Sequence, residues 1–344
     1  MNSLPKNQAS RLLGPLCVSL VLFSSAFGVD AQQANDRTSN VAPPSSATGE
    51  RLLAVSVTDE KRHYITDLTK EQFTVFDGKT PREITSFSPV GEPASIGVLF
   101  DISGSMIAVR TDLGLHPGPT TTTARLDDIR HALMRILRGS PASSEFFIWA
   151  FNSKTYKLTD WTRDAKTLTD ALSQINDLAS STQPTGKNKA NGALYDACAE
   201  ALDKLAGSSL RKRVLLILTD GDSDTFSHQV TFKELKRRLL SSDTLLYPIS
   251  LFDWPFYDKE LERGKEELDE LATASGGHAL FPATPAEMNE IADGIALDLR
   301  YQYTVGFSPA DVGGADGTKL RKVKIKVTPP SKEMKNLIVL YRES

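Results

Sequence analysis

The chain has 344 residues, 40% of them hydrophobic, which is enough to bury a substantial core and suits one large domain with a smaller companion. Its 40 basic and 43 acidic residues are intermixed and sum to a formal charge of −3. Global disorder and a basic surface for nucleic acid are therefore both excluded.

At the start of the chain, Lys6 and Arg11 precede an apolar run from Leu12 to Phe27, and small residues follow as far as Ala31. This is the pattern of a secretory signal peptide over residues 1–31. The run is shorter than the ~20 residues that span a bilayer, and Pro15 and several serines interrupt it, so no membrane span is expected after signal removal. Cleavage after Ala31 follows Val29-Asp30-Ala31, with cleavage after Gly28 as the alternative. The product is expected to be exported, either to a periplasm or out of the cell. Cys17 leaves with the signal, so Cys198 is the lone cysteine and no intramolecular disulfide can form. It lies in the apolar helical stretch Ala193 to Leu205, where a buried small hydrophobe is expected rather than a nucleophile.

Residues 32–49 are rich in Gln, Asn, Ser, Thr, Ala and Pro and read as a disordered linker. From 50 to 92 the pattern is β: Leu53–Val57 alternates, Phe73–Phe76 follows a short turn and ends at the turn signal Asp77-Gly78, and Ile84–Val90 gives a third strand. From 93 to 299 apolar strands alternate with amphipathic helices. The strands are Ile96–Phe100, Phe146–Phe151, Val214–Leu218 and Leu245–Ser250; the helices are Leu126–Leu137, Ala165–Leu178, Ala193–Leu205, Phe232–Leu240, Leu261–Ala274 and Pro285–Leu299. Continuous apolar strands imply cover on both faces, so the fold class is α/β with a doubly wound, mainly parallel sheet. Thr111–Thr123 and Ser180–Lys189 read as loops. Residues 300–344 return to strands at Tyr301–Phe307, Lys322–Val327 and Leu337–Tyr341. Two or three strands on either side are too few to stand alone, so the flanking N- and C-terminal strands are expected to form one β-sandwich.

The chemistry-bearing residues sit where apolar strands end. Ile96-Gly97-Val98-Leu99-Phe100 runs into Asp101-Ile102-Ser103-Gly104-Ser105, at the carboxyl end of a strand, where doubly wound sheets place ligands. Spacing by two can turn Asp101, Ser103 and Ser105 towards one point, and Gly104 lets the backbone bend around it. Oxygen donors with no His or Cys nearby suit a hard cation, Mg²⁺ first, with Mn²⁺ or Ca²⁺ as alternatives. A second apolar strand, Val214–Leu218, runs into Thr219-Asp220-Gly221-Asp222-Ser223-Asp224. Taken singly, either loop could be an ordinary helix cap; Asp222 and Asp224 read as solvated turn residues.

Together the two loops resemble the metal-ion-dependent adhesion site of von Willebrand factor type A domains, where an Asp-x-Ser-x-Ser loop and a later Thr-Asp-Gly loop share one ion. The resemblance extends to Ala193-Leu194-Tyr195-Asp196-Ala197, Phe151-Asn152-Ser153 and Gly276-Gly277-His278. It covers roughly residues 50–344. With the strand sections on either side, including Tyr301–Phe307, the whole is similar to exported bacterial proteins related to that family. The resemblance implies that Ser103 and Ser105 coordinate the ion directly while Asp101 and Asp220 act mainly through bound water. It also implies a function in binding: a partner protein's exposed carboxylate completes the ion's shell. One position departs from the family: Gly192 stands where a threonine is expected. Asn191 or Thr185 then supplies the missing oxygen, or the ion binds weakly, or the site is a relic of the fold.

Three functions follow from these residues. The first is an exported, metal-dependent, adhesion-type binding module. The second, a Mg²⁺-dependent hydrolase, is disfavoured because Ser103 occupies the place of the second carboxylate of an aspartyl-nucleophile phosphatase, and no nucleophile elbow, zinc-binding helix or phosphate loop is found. The third is a structural envelope protein with a degenerate metal site. His278 reads as a turn or strand residue, since no second His or Cys accompanies it, and Trp149 and Trp161 read as core or edge aromatics.

Overall fold

The computed structural model describes residues 50–103, 106, 122–182, 193–219, 229–250, 259–282, 284–308, 323–331 and 336–341. At its centre is a five-stranded sheet built from β5 (Ala94–Asp101), β6 (Glu145–Phe151), β7 (Thr155–Lys157), β8 (Lys212–Thr219) and β9 (Thr244–Ser250), ordered β7-β6-β5-β8-β9. Strands β6, β5, β8 and β9 are mutually parallel, and β7 runs antiparallel along β6 as the edge.

Alternation along the buried strands separates two apolar layers. Ile96, Val98 and Phe100 pack with α1 (Thr122–Gly139), α2 (Ala165–Ser181) and α6 (Pro285–Tyr301); Leu99, Phe147, Trp149 and Phe151 pack with α3 (Leu194–Ala206), α4 (Phe232–Ser241) and α5 (Lys259–Ser275). Each fully buried Leu, Ile or Phe contributes about 2 kcal/mol relative to exposure, so covering both faces is what holds a parallel sheet together. Side-chain caps set the helix starts: Asp164 accepts from Thr167 N–H, Thr231 from Glu234 N–H and Thr284 from Glu287 N–H, with Pro285 beginning α6. Helix α1 already begins at Thr122 and α2 continues through Ser181, so both expected loops give up their ends to helix. Among the described residues no helix is long and apolar enough to cross a membrane.

The flanking strands form two further sheets. One has the order β12-β1-β10-β4, from β1 (Arg51–Thr58), β4 (Ile84–Ser88), β10 (Tyr303–Phe307) and β12 (Ile338–Leu340); the other is β11-β2-β3, from β2 (Phe73–Asp77), β3 (Thr80–Arg82) and β11 (Val323–Val327). Strands from before and after the α/β part pair directly, with Leu53 opposite Val305 and Val75 opposite Ile325. The two sheets share one core containing Leu53, Val55, Val75, Tyr303, Val305 and Ile325. Inside it the Tyr303 hydroxyl donates to the Ile65 carbonyl (2.8 Å) and accepts from Leu68 N–H (3.1 Å). Strand β1 is buried on both faces because Leu52 and Ala54, on its other side, belong to the core of the α/β part.

Candidate functional site

The chain passes from β5 to β6 on one side and then returns to β8 on the other side of β5, which makes the carboxyl ends of β5 and β8 the switch point of the sheet. A crevice opens there in doubly wound folds, because the following loops leave in opposite directions. Asp101 ends β5 and Thr219 ends β8, and the register that puts Phe100 beside Leu218 brings these two side chains together.

The Asp101 carboxylate is fully buried. Thr219 Oγ1 donates to its Oδ2 at 2.6 Å, and the Ser103 amide donates to its Oδ1 at 2.8 Å. The second bond closes an Asx turn, the local preference of an aspartate two residues before the amide it accepts from. Ile102 N–H donates to the Phe151 carbonyl at 2.8 Å, which pins the first loop to the end of β6. Ser103 is buried, and so is Met106, which contributes to the core beneath the loop.

Asn152, buried at the end of β6, organises the neighbouring chain. Its Nδ2 donates to Thr182 Oγ1 (3.1 Å) at the end of α2, its Oδ1 accepts from Lys154 N–H (3.3 Å), and its carbonyl accepts from Ala193 N–H (2.6 Å) at the start of α3. The structure thus gathers Asp101, Ser103, Thr219, Asn152 and the start of α3 at the carboxyl-terminal edge of the sheet, where its strands end. Ser105, Asp220 and Asn191 lie outside the described residues, as do Gly104, Thr185, Gly192 and Ala31.

The sequence alone gives Thr219 and Asn152 no individual role beyond their place in the two matching segments. A hydroxyl closing the apolar run Val214–Leu218 was the available signal for the first, and a polar residue directly after Phe146–Phe151 for the second. Both are residues a buried strand end would not carry without a partner to satisfy them.

His278 stands apart from this edge. Its ring meets Tyr247 edge-on with centroids 4.9 Å apart, and its Nε2 is 3.9 Å from Asp298 Oδ2. Trp149 is a core residue and Trp161 packs at its margin. Cys198 is buried in α3, and burial pushes its thiol well above the usual range, which keeps it protonated and inert. Among the described residues no group of three or more His, Cys, Asp or Glu side chains is assembled as a ligand set. The donors gathered at the switch point are instead carboxylate and hydroxyl oxygens, the ligand chemistry of hard cations.

Residues 95–294 match the family model of the von Willebrand factor type A domain. No curated protein matches the chain. Among solved structures it is similar to an aerotolerance-related membrane protein from Bacteroides fragilis (15% identity, covering 60% of this chain and 98% of that one, TM-score 0.43). It is similar also to von Willebrand factor type A from Catenulispora acidiphila (15%, 74% and 69%, 0.43) and to the vWF domain of the type V pili tip protein Mfa5 from Porphyromonas gingivalis (11%, 61% and 95%, 0.42). The family match spans more than half of the chain, which therefore belongs to the von Willebrand factor type A domain family.

Proposed function

We propose that this chain is an exported, cation-dependent protein-binding module of the adhesion type. Asp101, Ser103, Ser105 and Asp220, with Asn191 in place of the family's threonine, would hold Mg²⁺, or Mn²⁺ or Ca²⁺, and a carboxylate on the partner protein would complete the shell. The observation that carries this reading is the buried Asp101 carboxylate at the switch point, bonded to Thr219 from the neighbouring strand end.

Both oxygens of Asp101 already accept a hydrogen bond, which suits a carboxylate that acts through bound water and leaves neutral hydroxyls as direct donors. A cation held mainly by neutral oxygens retains most of its charge, and what it supplies is attraction for an acidic group. The chain's own contribution is positional. Thr219 and the Ser103 amide fix the Asp101 side chain, the Phe151 carbonyl fixes the loop, and Asn152 fixes the approach to α3. Binding rather than catalysis fits these residues. Ser103 replaces the carboxylate that a phosphatase of this geometry needs, and the one cysteine beyond the signal segment, Cys198, is buried.

Calorimetric titration of metal-stripped protein with Mg²⁺, Mn²⁺ and Ca²⁺ tests the reading. Saturable binding is expected, abolished in Asp101→Ala and weakened about tenfold in Thr219→Val, which removes the hydroxyl that orients Asp101. Folded wild-type protein that takes up no cation at millimolar concentration would sink it.

A further inference from the structure

Helix α3 opens beside the site, and its first turn carries Asp196. The two oxygens of that carboxylate accept backbone N–H groups from 34 and 33 positions further along: Oδ1 from Val230 at 2.7 Å and Oδ2 from Gln229 at 3.1 Å. Gln229 and Val230 bring the chain, which leaves β8 at Thr219, into α4. The seat is reinforced by packing. Val230 and Phe232 lie against the core layer of α3, α4 and α5, and Phe232 meets Tyr195 edge-on with centroids 6.1 Å apart. The start of the same segment is held by the Thr219 to Asp101 bond. Helix α3 is itself anchored, by Ala193 N–H on the Asn152 carbonyl and by the Tyr195 hydroxyl on Glu267.

Two amides converging on one side chain ask for two acceptor oxygens. Aspartate presents two, asparagine one and alanine none. The plainer account of an acid in a first helical turn is stabilisation of the helix dipole, worth about 0.3–1 kcal/mol. That account concerns α3 alone and does not require reaching Gln229 and Val230.

We propose that Asp196 is a positioning residue for the cation site. It ties Gln229 and Val230, on the approach to α4, to the first turn of α3, whose own start is anchored to Asn152 at the end of β6. The proposal rests on the cation reading above.

The test compares wild type, Asp196→Ala and Asp196→Asn by hydrogen exchange of the metal-free proteins and by calorimetric titration with Mn²⁺. Asp196→Ala is expected to lose protection at Gln229 and Val230 while the body of α3 keeps it, and to bind Mn²⁺ about tenfold more weakly. Asp196→Asn, which keeps the shape and one acceptor, should fall between the two in both measurements. Wild-type Mn²⁺ affinity in an alanine variant that has lost protection at these amides would overturn the proposal, as would changes confined to α3. If wild type binds no Mn²⁺, the cation reading fails and the positioning role fails with it; lost protection at Gln229 and Val230 would then mark Asp196 as a structural tie only.

Discussion

Gly276→Ala is expected to cost the fold about 3 kcal/mol, the sum of left-handed backbone strain and overpacking against a neighbour that cannot withdraw. Gly276 has φ +84°, and a Cβ at that position would stand 2.2 Å from the Leu52 carbonyl oxygen. The obstacle is backbone, in a strand hydrogen-bonded to β10 on one edge and β12 on the other and buried on both faces. Relief would require β1 to lift off the α/β part, separating Leu52 and Ala54 from the core they share with it. Gly277 is constrained in the same way from β9, where an added Cβ would meet the Leu246 carbonyl oxygen at 2.1 Å. The glycine pair therefore passes between β1 and β9 where neither strand leaves room for a side chain. Gly294→Ala is the control. It lies within α6 with nothing within 4 Å of an added Cβ, so it should be neutral or stabilising by up to about 1 kcal/mol. Denaturant unfolding of the three proteins decides the matter; a Gly276→Ala midpoint equal to wild type would refute the packing account.

The strands that were plain in the sequence are those buried on both faces, such as Ile96–Phe100 and Val214–Leu218, because continuous apolar runs have no other stable location. The segments without such a signature, Thr80–Arg82 and Thr155–Lys157, are three-residue edge strands with exposed or half-exposed side chains, and their pairing is decided by the strand beside them. Thr122 and Thr123 belong to α1 although no apolar spacing begins before Leu126, so the helix extends backwards into a sequence that reads as loop. Joining of the two flanking β sections could be argued from how little either could bury alone, whereas the register, Val75 against Ile325, could not. At the site, Asp101 and Ser103 were visible as polar residues closing an apolar run. The bond from Thr219 to Asp101, and the tie from Val230 to Asp196, depend on which strand ends and loops become neighbours, and that is set by sheet order.

Acidification from about pH 7.5 to about pH 4 should stabilise wild type by about 2 kcal/mol relative to Asp298→Asn. Asp298 lies near the end of α6, where the chain enters the sandwich, and burial raises its pKa from 3.8 to about 6 against the opposing effects of the Ser56 hydrogen bond and the Lys212 charge. The folded carboxyl thus holds its proton more tightly than the unfolded one. Its contribution is complete below pH 3.8 and is lost as pH rises through about 6. The groups facing it are Ser56 on β1, Lys212 on β8, Tyr247 on β9, Tyr64 before the sandwich strand β2, and His278 after α5. Lys212 is lowered to about 8, chiefly by burial, so it is charged in both states below about pH 7 and adds slope only at the upper end of the window. Exposed carboxylates such as Asp160 and Asp293, lowered first of all by hydrogen bonds from Lys204 and Arg135, pull the absolute curve the other way. The difference between wild type and variant removes that contribution because both proteins carry it. A constant offset from leaving Lys212 without its acidic neighbour also cancels from the slope. Repeating the pair in a His278→Asn background removes the imidazole 3.9 Å from Asp298 as a second titrating group. Parallel stability curves for wild type and Asp298→Asn between those pH values would show that the carboxyl is not proton-linked to folding, and that the junction is held by packing and by the Lys212 bond to the Leu299 carbonyl.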